Sequence, residues 1–286
     1  MRGITDWKRE EAPAQLAREA RNIRISILKM LHQAGSGHTG GSLSAADLMT
    51  ALFLGELRHK PGAPDWEERD RFVLSKGHAA PVYYAVLCRC AYLEQKELCC
   101  LRKSCAMLQG HPDCKSTPGI EVSTGSLGQG LSIANGMALG LRLNKSSARV
   151  YALMGDGEVQ EGMIWEAAMT AAHYKLDNLC AILDKNGLQI DGSVQNIMGI
   201  EPLDDKWRAF GWHVIHINGH KFNEILNAFD SAREVKGQPV IIIADTIKGK
   251  GVSIFENKVE YHGKAPNDKE FELAMKELTE NEGETL

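Results

Sequence analysis

No apolar stretch in this 286-residue chain approaches the roughly 20 residues that a membrane-spanning helix requires. The opening Met1-Arg2-Gly3-Ile4-Thr5-Asp6 lacks the basic-then-apolar layout of a secretory leader, so a cytoplasmic location is expected. A dense basic run is missing too. Lys and Arg number 33 against 37 Asp and Glu, a net charge of -4, and the densest basic site, Lys248 and Lys250 with Lys258 nearby, is short and glycine-spaced. Nucleic acid and anionic membranes are therefore not expected partners. Internal repeats and low-complexity segments are also absent. What remains is ordinary globular composition, 43% hydrophobic and 24% charged, enough for one large α/β domain with its own core.

Cysteine is plentiful but lacks the spacing that would give it chemistry. Six of the seven cysteines fall between Cys88 and Cys114 (Cys88, Cys90, Cys99, Cys100, Cys105 and Cys114), yet no Cys-x-x-Cys pair occurs. The spacings match no familiar zinc or iron–sulfur framework. Reduced thiols serving in packing are expected.

Periodicity divides the chain into alternating elements. A broad apolar face over Ala14 to Gln33 predicts a helix, followed by a turn at Gly35-Ser36-Gly37-His38-Thr39-Gly40-Gly41. Ser44 is placed to cap a second helix running to about Leu54. Strands are expected at Arg71 to Ser75, Arg149 to Met154, Asn178 to Leu183, His213 to Ile217 and Pro239 to Ala244. Helices are expected over Ala79 to Cys90, from the Gly125–Gly130 block to about Leu143, and over Gly162 to Tyr174, Asn223 to Val235 and Lys269 to Leu278. Runs such as Ile241-Ile242-Ile243 suit strands buried on both faces. The predicted fold class is α/β, a doubly wound parallel sheet with helices on both faces. Residues 1–265 form the predicted main domain, and 266–286 a C-terminal helix with a frayed tail from Thr279.

Ligands of such sheets bind beyond the carboxyl ends of the strands. Gly155-Asp156-Gly157-Glu158 follows one strand and Asp184-Lys185-Asn186-Gly187 the next. Gly-Asp-Gly alone often marks a plain turn. One strand–helix–strand step, however, brings the tips of adjacent parallel strands together. Asp156, Asn186 and a nearby backbone carbonyl could then supply half of an octahedral magnesium shell, which phosphate oxygens and water usually complete. The pairing predicts a metal–diphosphate site. Lys248 fits a counter-charge for that diphosphate. His38, His78, His111 and His262 each adjoin glycine at a loop or strand tip, where imidazole can bond a hydroxyl or phosphate and move a proton near neutral pH. His32, His59, His173, His213, His216 and His220 are read as surface or core residues, and Trp165 and Trp207 as packing.

These blocks, in this order, resemble the transketolase family. The resemblance is carried by Ser36-Gly37-His38, Phe72-Val73-Leu74-Ser75-Lys76-Gly77-His78-Ala79-Ala80-Pro81, Gly110-His111-Pro112 and Thr124-Gly125-Ser126-Leu127-Gly128-Gln129-Gly130. It continues through Gly155-Asp156-Gly157-Glu158-Val159-Gln160-Glu161-Gly162, Asn186, Lys248-Gly249-Lys250-Gly251 and Tyr261-His262-Gly263, over roughly residues 15 to 265.

The resemblance implies thiamine diphosphate as cofactor, with Mg2+ or another divalent cation held by Asp156, Asn186 and the Leu188 carbonyl. His78, Gly157 with Glu158, Lys248 and His262 would meet the diphosphate. Gly125, Ser126 and Leu127 would support the cofactor from the loop before their helix, and Ile190 and Ile247 would pack on its thiazolium. His38, His111 and His262 would act on the sugar as the catalytic set. Glu161 and Glu166 would join a network at a subunit interface.

Complete members are more than twice this long, and the cofactor-activating glutamate belongs to a pyrimidine-binding domain. The implied protein is the amino-terminal, diphosphate-binding subunit of a split transketolase, paired with a C-terminal subunit in an α2β2 assembly. It would move a two-carbon ketol unit from a ketose phosphate to an aldose. Pentose-phosphate metabolism is the leading expectation, with breakdown of unusual or sulfonated sugars as an alternative. Thr39-Gly40-Gly41 replaces a proline common among relatives, and the phosphate-binding residues of the sugar channel lie mostly in the other domains, so sugar identity stays open. Two rival readings are an α subunit of a two-oxoacid dehydrogenase, which the Leu-Gly-Gln-Gly and Tyr-His-Gly blocks disfavour, and a non-catalytic protein that retains the fold.

Overall fold

The computed structural model describes residues 7–280. Two segments named above, the opening residues 1–6 and the end of the tail at 281–286, lie outside the described residues. Helix α1 (Ala12–Ala34) carries Pro13 in its first turn and ends at Gly35, whose φ of 63° gives a left-handed cap. Short helices α2 (Thr39–Ser44) and α3 (Ala46–Ala51) follow, the latter widening into a π-helical turn at Leu52–Glu56. Then come β1 (Arg71–Leu74), α4 (Ala80–Arg89), α5 (Gln95–Leu98), α6 (Gln129–Leu143), β2 (Val150–Gly155), α7 (Gly162–His173) and β3 (Leu179–Lys185). A two-residue hairpin, β4 (Leu188–Gln189) with β5 (Gly192–Ser193), precedes α8 (Val194–Met198) and α9 (Leu203–Ala209). Strand β6 (His213–Asn218), α10 (Phe222–Glu234), β7 (Val240–Asp245) and α11 (Asp268–Glu280) complete the order.

The five long strands form one parallel sheet in the order β1-β2-β3-β7-β6. Side chains alternate across it. Tyr151, Leu153, Cys180, Ile182, Val240, Ile242 and Ala244 join the core under α1, α3, α4 and α10. Val150, Ala152, Met154, Leu179, Ala181, Leu183, Ile241 and Ile243 join the core under α6, α7 and α9. Both faces are covered, which is why these strands read as unbroken apolar runs. Trp207 is fully buried in the second core against Trp165 and Trp212, the packing role expected of it. Helix α11 buries Ala274 and Leu278 in the first core and stacks Phe271 on His32.

Three expectations need correction. The Gly35–Gly41 turn ends early, because α2 already begins at Thr39. Gly40 is there for closeness, since a Cβ would lie 2.8 Å from Lys248 Cγ and 3.1 Å from the Tyr261 carbonyl. Ser44 caps nothing. It is the last residue of α2, and a buried carboxylate, Asp184, takes its hydroxyl at 2.6 Å. Finally, Cys99, Cys105 and Cys114 are exposed, so a packing role holds for buried Cys90 and not for the cluster as a whole.

Close packing of α6 on β1 turns on one residue. A Cβ at Gly130 would sit 2.3 Å from Ser75 Oγ and 2.7 Å from Ser75 Cα, so something must shift. Gly130→Ala is expected to lower the unfolding free energy by about 1–3 kcal/mol, the usual cost of overpacking. Urea unfolding measures it, and an unchanged or raised midpoint would contradict the packing described.

Candidate functional site

Every candidate residue of the strand tips lies at the carboxyl edge of the sheet. There the ends of β1, β2, β3 and β7 meet α2 and the 124–128 loop around a cleft of about 200 Å³. Its lining includes Gly41, Lys76, His78, Leu127, Asp156, Gly157, Asn186, Leu188, Ile190, Lys248 and His262.

The loops approach one another closely enough to need glycine. A Cβ at Gly77 would lie 2.8 Å from Gly125 N, and Gly125 itself has a φ of 149°. Glu158 is buried, and its carboxylate accepts from Ser75 Oγ (2.5 Å), Gly128 N (2.9 Å) and Gly155 N (3.1 Å). It therefore ties β1, β2 and the start of α6 together, with its oxygens engaged by protein groups.

Asp156 and Asn186 stand at adjacent tips, as their spacing suggested. The Asp156 carboxylate accepts from Gly157 N at 2.8 Å and Gly187 N at 2.5 Å. Asn186 Oδ1 accepts from Leu188 N at 3.2 Å, and the Leu188 carbonyl accepts from Lys248 Nζ at 3.0 Å. Among the described residues no cluster of three or more His, Cys, Asp or Glu could hold a metal. The tips offer instead one carboxylate, one amide and one carbonyl, all oxygen donors, which suits a hard cation.

Charge in the cleft is out of balance in a way that tests the fit. Burial, with Asp184 nearby, pushes the Asp156 carboxyl up to about 6. Burial, with Lys76 nearby, pushes the Lys248 ammonium down to about 8. Both shifts come first from burial, which disfavours either charged form, and an opposite charge brought close would favour it. A divalent cation on Asp156 and a polyanion on Lys248 would relieve both, so the residues fit a metal–diphosphate pair.

His38, His78 and His262 form a triangle with ring centroids 5.1, 5.3 and 5.5 Å apart. Burial and then Arg102 lower His38 to about 4, and burial and then Lys248 lower His262 to about 3. Burial and Lys76 hold His78 well below its ordinary value. All three are neutral at pH 7, able both to donate and to accept toward an uncharged hydroxyl. His262 Nδ1 faces Lys248 Nζ at 2.8 Å. His111 is exposed, with its ring against Gly125, and close enough for its charge to act on His38.

Some candidates sit away from the cleft. Ser126 is exposed and its hydroxyl accepts from Gln129 Nε2 at 3.1 Å. Ile247 is half-buried behind Lys248, whereas Ile190 is 65% exposed on the cleft wall.

Lys76 and Asp184 lie inside sequence blocks singled out above, but with no role assigned to them there. Lys76, which lines the cleft, pairs at 2.5 Å with Asp184, and both are buried. His220, read as an ordinary surface or core histidine, accepts from Ile247 N at 2.8 Å and meets Asp47 at 2.7 Å, while Arg24 grips Asp47 with two hydrogen bonds. That buried chain anchors the turn before Lys248. The one available signal was position, Lys76 and Asp184 standing at the ends of otherwise apolar strands.

Known proteins match this chain over most of its length. A family model described as the thiamine diphosphate binding domain of transketolase matches residues 16–284. The 6-deoxy-6-sulfo-D-fructose transketolase subunit of Clostridium sp. (strain MSTE9) is 44% identical over 96% of this chain and 99% of its own length. An apulose-4-phosphate transketolase subunit of Phocaeicola vulgatus is 40% identical over 90% of this chain and 91% of its own. The crystal structure of transketolase from Campylobacter jejuni superposes with a TM-score of 0.88 at 33% identity, and the matched region is 92% of this chain but 42% of that one.

The histidine triangle also shapes acid stability. A histidine held below its ordinary value of 6.5 stabilises the fold fully above that pH and loses the contribution as pH falls toward its folded value, about 3 for His262. His262→Asn should therefore flatten the loss of stability between about pH 6.5 and pH 3. Urea unfolding across that range tests it, and parallel curves for variant and parent would contradict it.

Proposed function

Because this chain belongs to the transketolase family, carrying its thiamine diphosphate binding domain, we propose that it is the diphosphate- and magnesium-binding subunit of a two-chain transketolase. The observation that carries the reading is the meeting of Asp156, Asn186 and the Leu188 carbonyl with Lys248, His78 and His262 in one cleft. Asp156, Asn186 and Leu188 would hold Mg2+, and Lys248 and His78 would face the diphosphate. When bound, thiamine diphosphate supplies the stabilised carbon nucleophile that carries a two-carbon ketol unit.

The rest falls to this chain's own groups. Lys248 neutralises diphosphate charge, and Leu127 and Ile190 wall the cleft so that the cofactor is held in one orientation. His38 and His262, neutral at pH 7, hydrogen-bond the sugar hydroxyls and pass a proton between substrate oxygen and solvent. His111, at the exposed rim beside Gly125, completes the sugar-facing set.

The partner would be a separate chain with the pyrimidine-binding and C-terminal domains, in an α2β2 assembly in the cytoplasm. Two relatives of near-equal length are themselves named as subunits, which supports the split. Exposed Met163, Met169, Ile190, Ile197 and Met198 surround the α7 and cleft side and suit a buried interface there. The names of both relatives point to sugars with an anionic group, a sulfonate in one and a phosphate in the other. A ketose of that class is the proposed donor and an aldose the acceptor.

The test is reconstitution. This chain mixed with the separately encoded pyrimidine-domain chain should transfer a two-carbon unit only when both chains, thiamine diphosphate and Mg2+ are present. Asp156→Ala should weaken Mg2+-dependent cofactor binding by more than the roughly 10–100-fold that losing a ligand's hydrogen-bond partner costs. Full transfer by this chain alone would overturn the two-chain reading. Oxidative release of carbon dioxide from a two-oxoacid would favour the dehydrogenase reading instead.

A further inference from the structure

A serine hydroxyl has one proton to give and two lone pairs to offer. At Ser44 that proton has two acceptors in reach, Asp184 Oδ2 at 2.6 Å and the Gly41 carbonyl at 3.3 Å. Asp184 is fully buried and faces the Lys76 ammonium at 2.5 Å. It is a carboxylate, so it accepts only, and the shorter, charge-assisted bond takes the Ser44 proton. Thr246 Oγ1 donates to Asp184 Oδ1 while Lys76 Nζ donates to Oδ2 at 2.5 Å, so the carboxylate has no free rotation by which to release Ser44.

Ser44 can then only accept from its remaining neighbour. That neighbour is Asn186, whose Nδ2 lies 3.3 Å from Ser44 Oγ. With the amide reversed, the Asn186 oxygen would face the Ser44 lone pairs, oxygen against oxygen. With the amide as found, Nδ2 faces Ser44 and Oδ1 is presented on the other side, beside Leu188 N.

We propose that Ser44 and Asp184 are positioning residues that fix which end of the Asn186 amide faces the cation, presenting oxygen and turning nitrogen away. The inference rests on the assignment of Asn186 as a metal ligand. A hard cation accepts an amide oxygen and gains nothing from an amide N–H, so an Asn that can turn over is a ligand only part of the time. Asp184 acts at one remove, through a hydroxyl whose single proton it takes, and Lys76 Nζ at 2.5 Å holds its carboxylate in place.

The test measures the Mg2+ concentration that half-saturates thiamine diphosphate binding to the two-chain complex, followed by calorimetry, with the melting of each ligand-free variant as a control for folding. Ser44→Ala should raise that concentration by about 10–100-fold, the usual effect of losing such a partner. The decisive arm adds Asn186→Asp, whose two carboxylate oxygens make orientation irrelevant. In the Ser44→Ala background it should recover most of the lost affinity. With Ser44 present it sets a carboxylate oxygen against the serine lone pairs and should weaken binding.

A half-saturation within threefold of the parent for Ser44→Ala would overturn the proposal. So would an Asn186→Asp effect equal in both backgrounds, since a merely structural role for Ser44 gives no such coupling. If the unmodified complex bound cofactor with no dependence on Mg2+, the metal assignment itself would fall. That outcome is distinct from a Mg2+-dependent parent with an unaffected Ser44→Ala variant, which sinks the orientation claim alone.

Discussion

The buried pair of Lys76 and Asp184 is the interaction on which the site depends. Neither charge reaches solvent to any extent, at 2% and 0% exposure, and their separation is 2.5 Å. Isolated, each would be too costly to bury, so each exists where it does only because of the other. The pair joins the tip of β1 to β3 directly, α2 through the Gly41 carbonyl and Ser44, and β7 through Thr246. Those elements form much of the cleft. Such a pair is weak evidence for added stability, since apolar residues could fill the space as well. What it adds is one arrangement of four separate segments.

A second buried network does the same for the far wall. Arg24 on α1, Asp47 on α3 and His220 before α10 hold the backbone at Ile247, and Arg24 also donates to the Lys250 carbonyl. Lys248 sits between these anchors. Its ammonium, deprived of water and facing Lys76, has its charge weakened where an anion would restore it. The cleft is thus arranged ahead of any ligand, which is what a site acting through orientation and charge placement requires.

Much of this was legible in the chain itself, and for identifiable reasons. The runs at 150–155, 179–185 and 240–245 announce strands because both faces of the sheet are covered, so no polar alternation interrupts them. Asp156 and Asn186 were legible because each stands beside glycine just past such a run. Ser44, Lys76 and Asp184 were not, because a buried charge is known only by its partner, and Lys76 and Asp184 are 108 positions apart. Ser44 also misled in a physical way. Serine before Ala-Ala-Asp is a good helix cap, but a carboxylate in the core competes better for its hydroxyl than any solvated alternative. His220 gave no signal because Gly-His in a loop is commonplace until Asp47 and Ile247 are brought to either side of its ring.

The central claim is that this ion pair organises the cleft, and Lys76→Met tests it most directly. The change keeps the length of the side chain but leaves Asp184 buried without a counter-charge, which costs about 3–5 kcal/mol in comparable cases. Urea unfolding of the ligand-free chain, paired with calorimetry of thiamine diphosphate and Mg2+ binding in the two-chain complex, reads both consequences. The expected result is a loss of that size together with a collapse of Mg2+-dependent cofactor binding. A variant as stable as the parent to within about 1 kcal/mol, binding cofactor and metal unchanged, would contradict it.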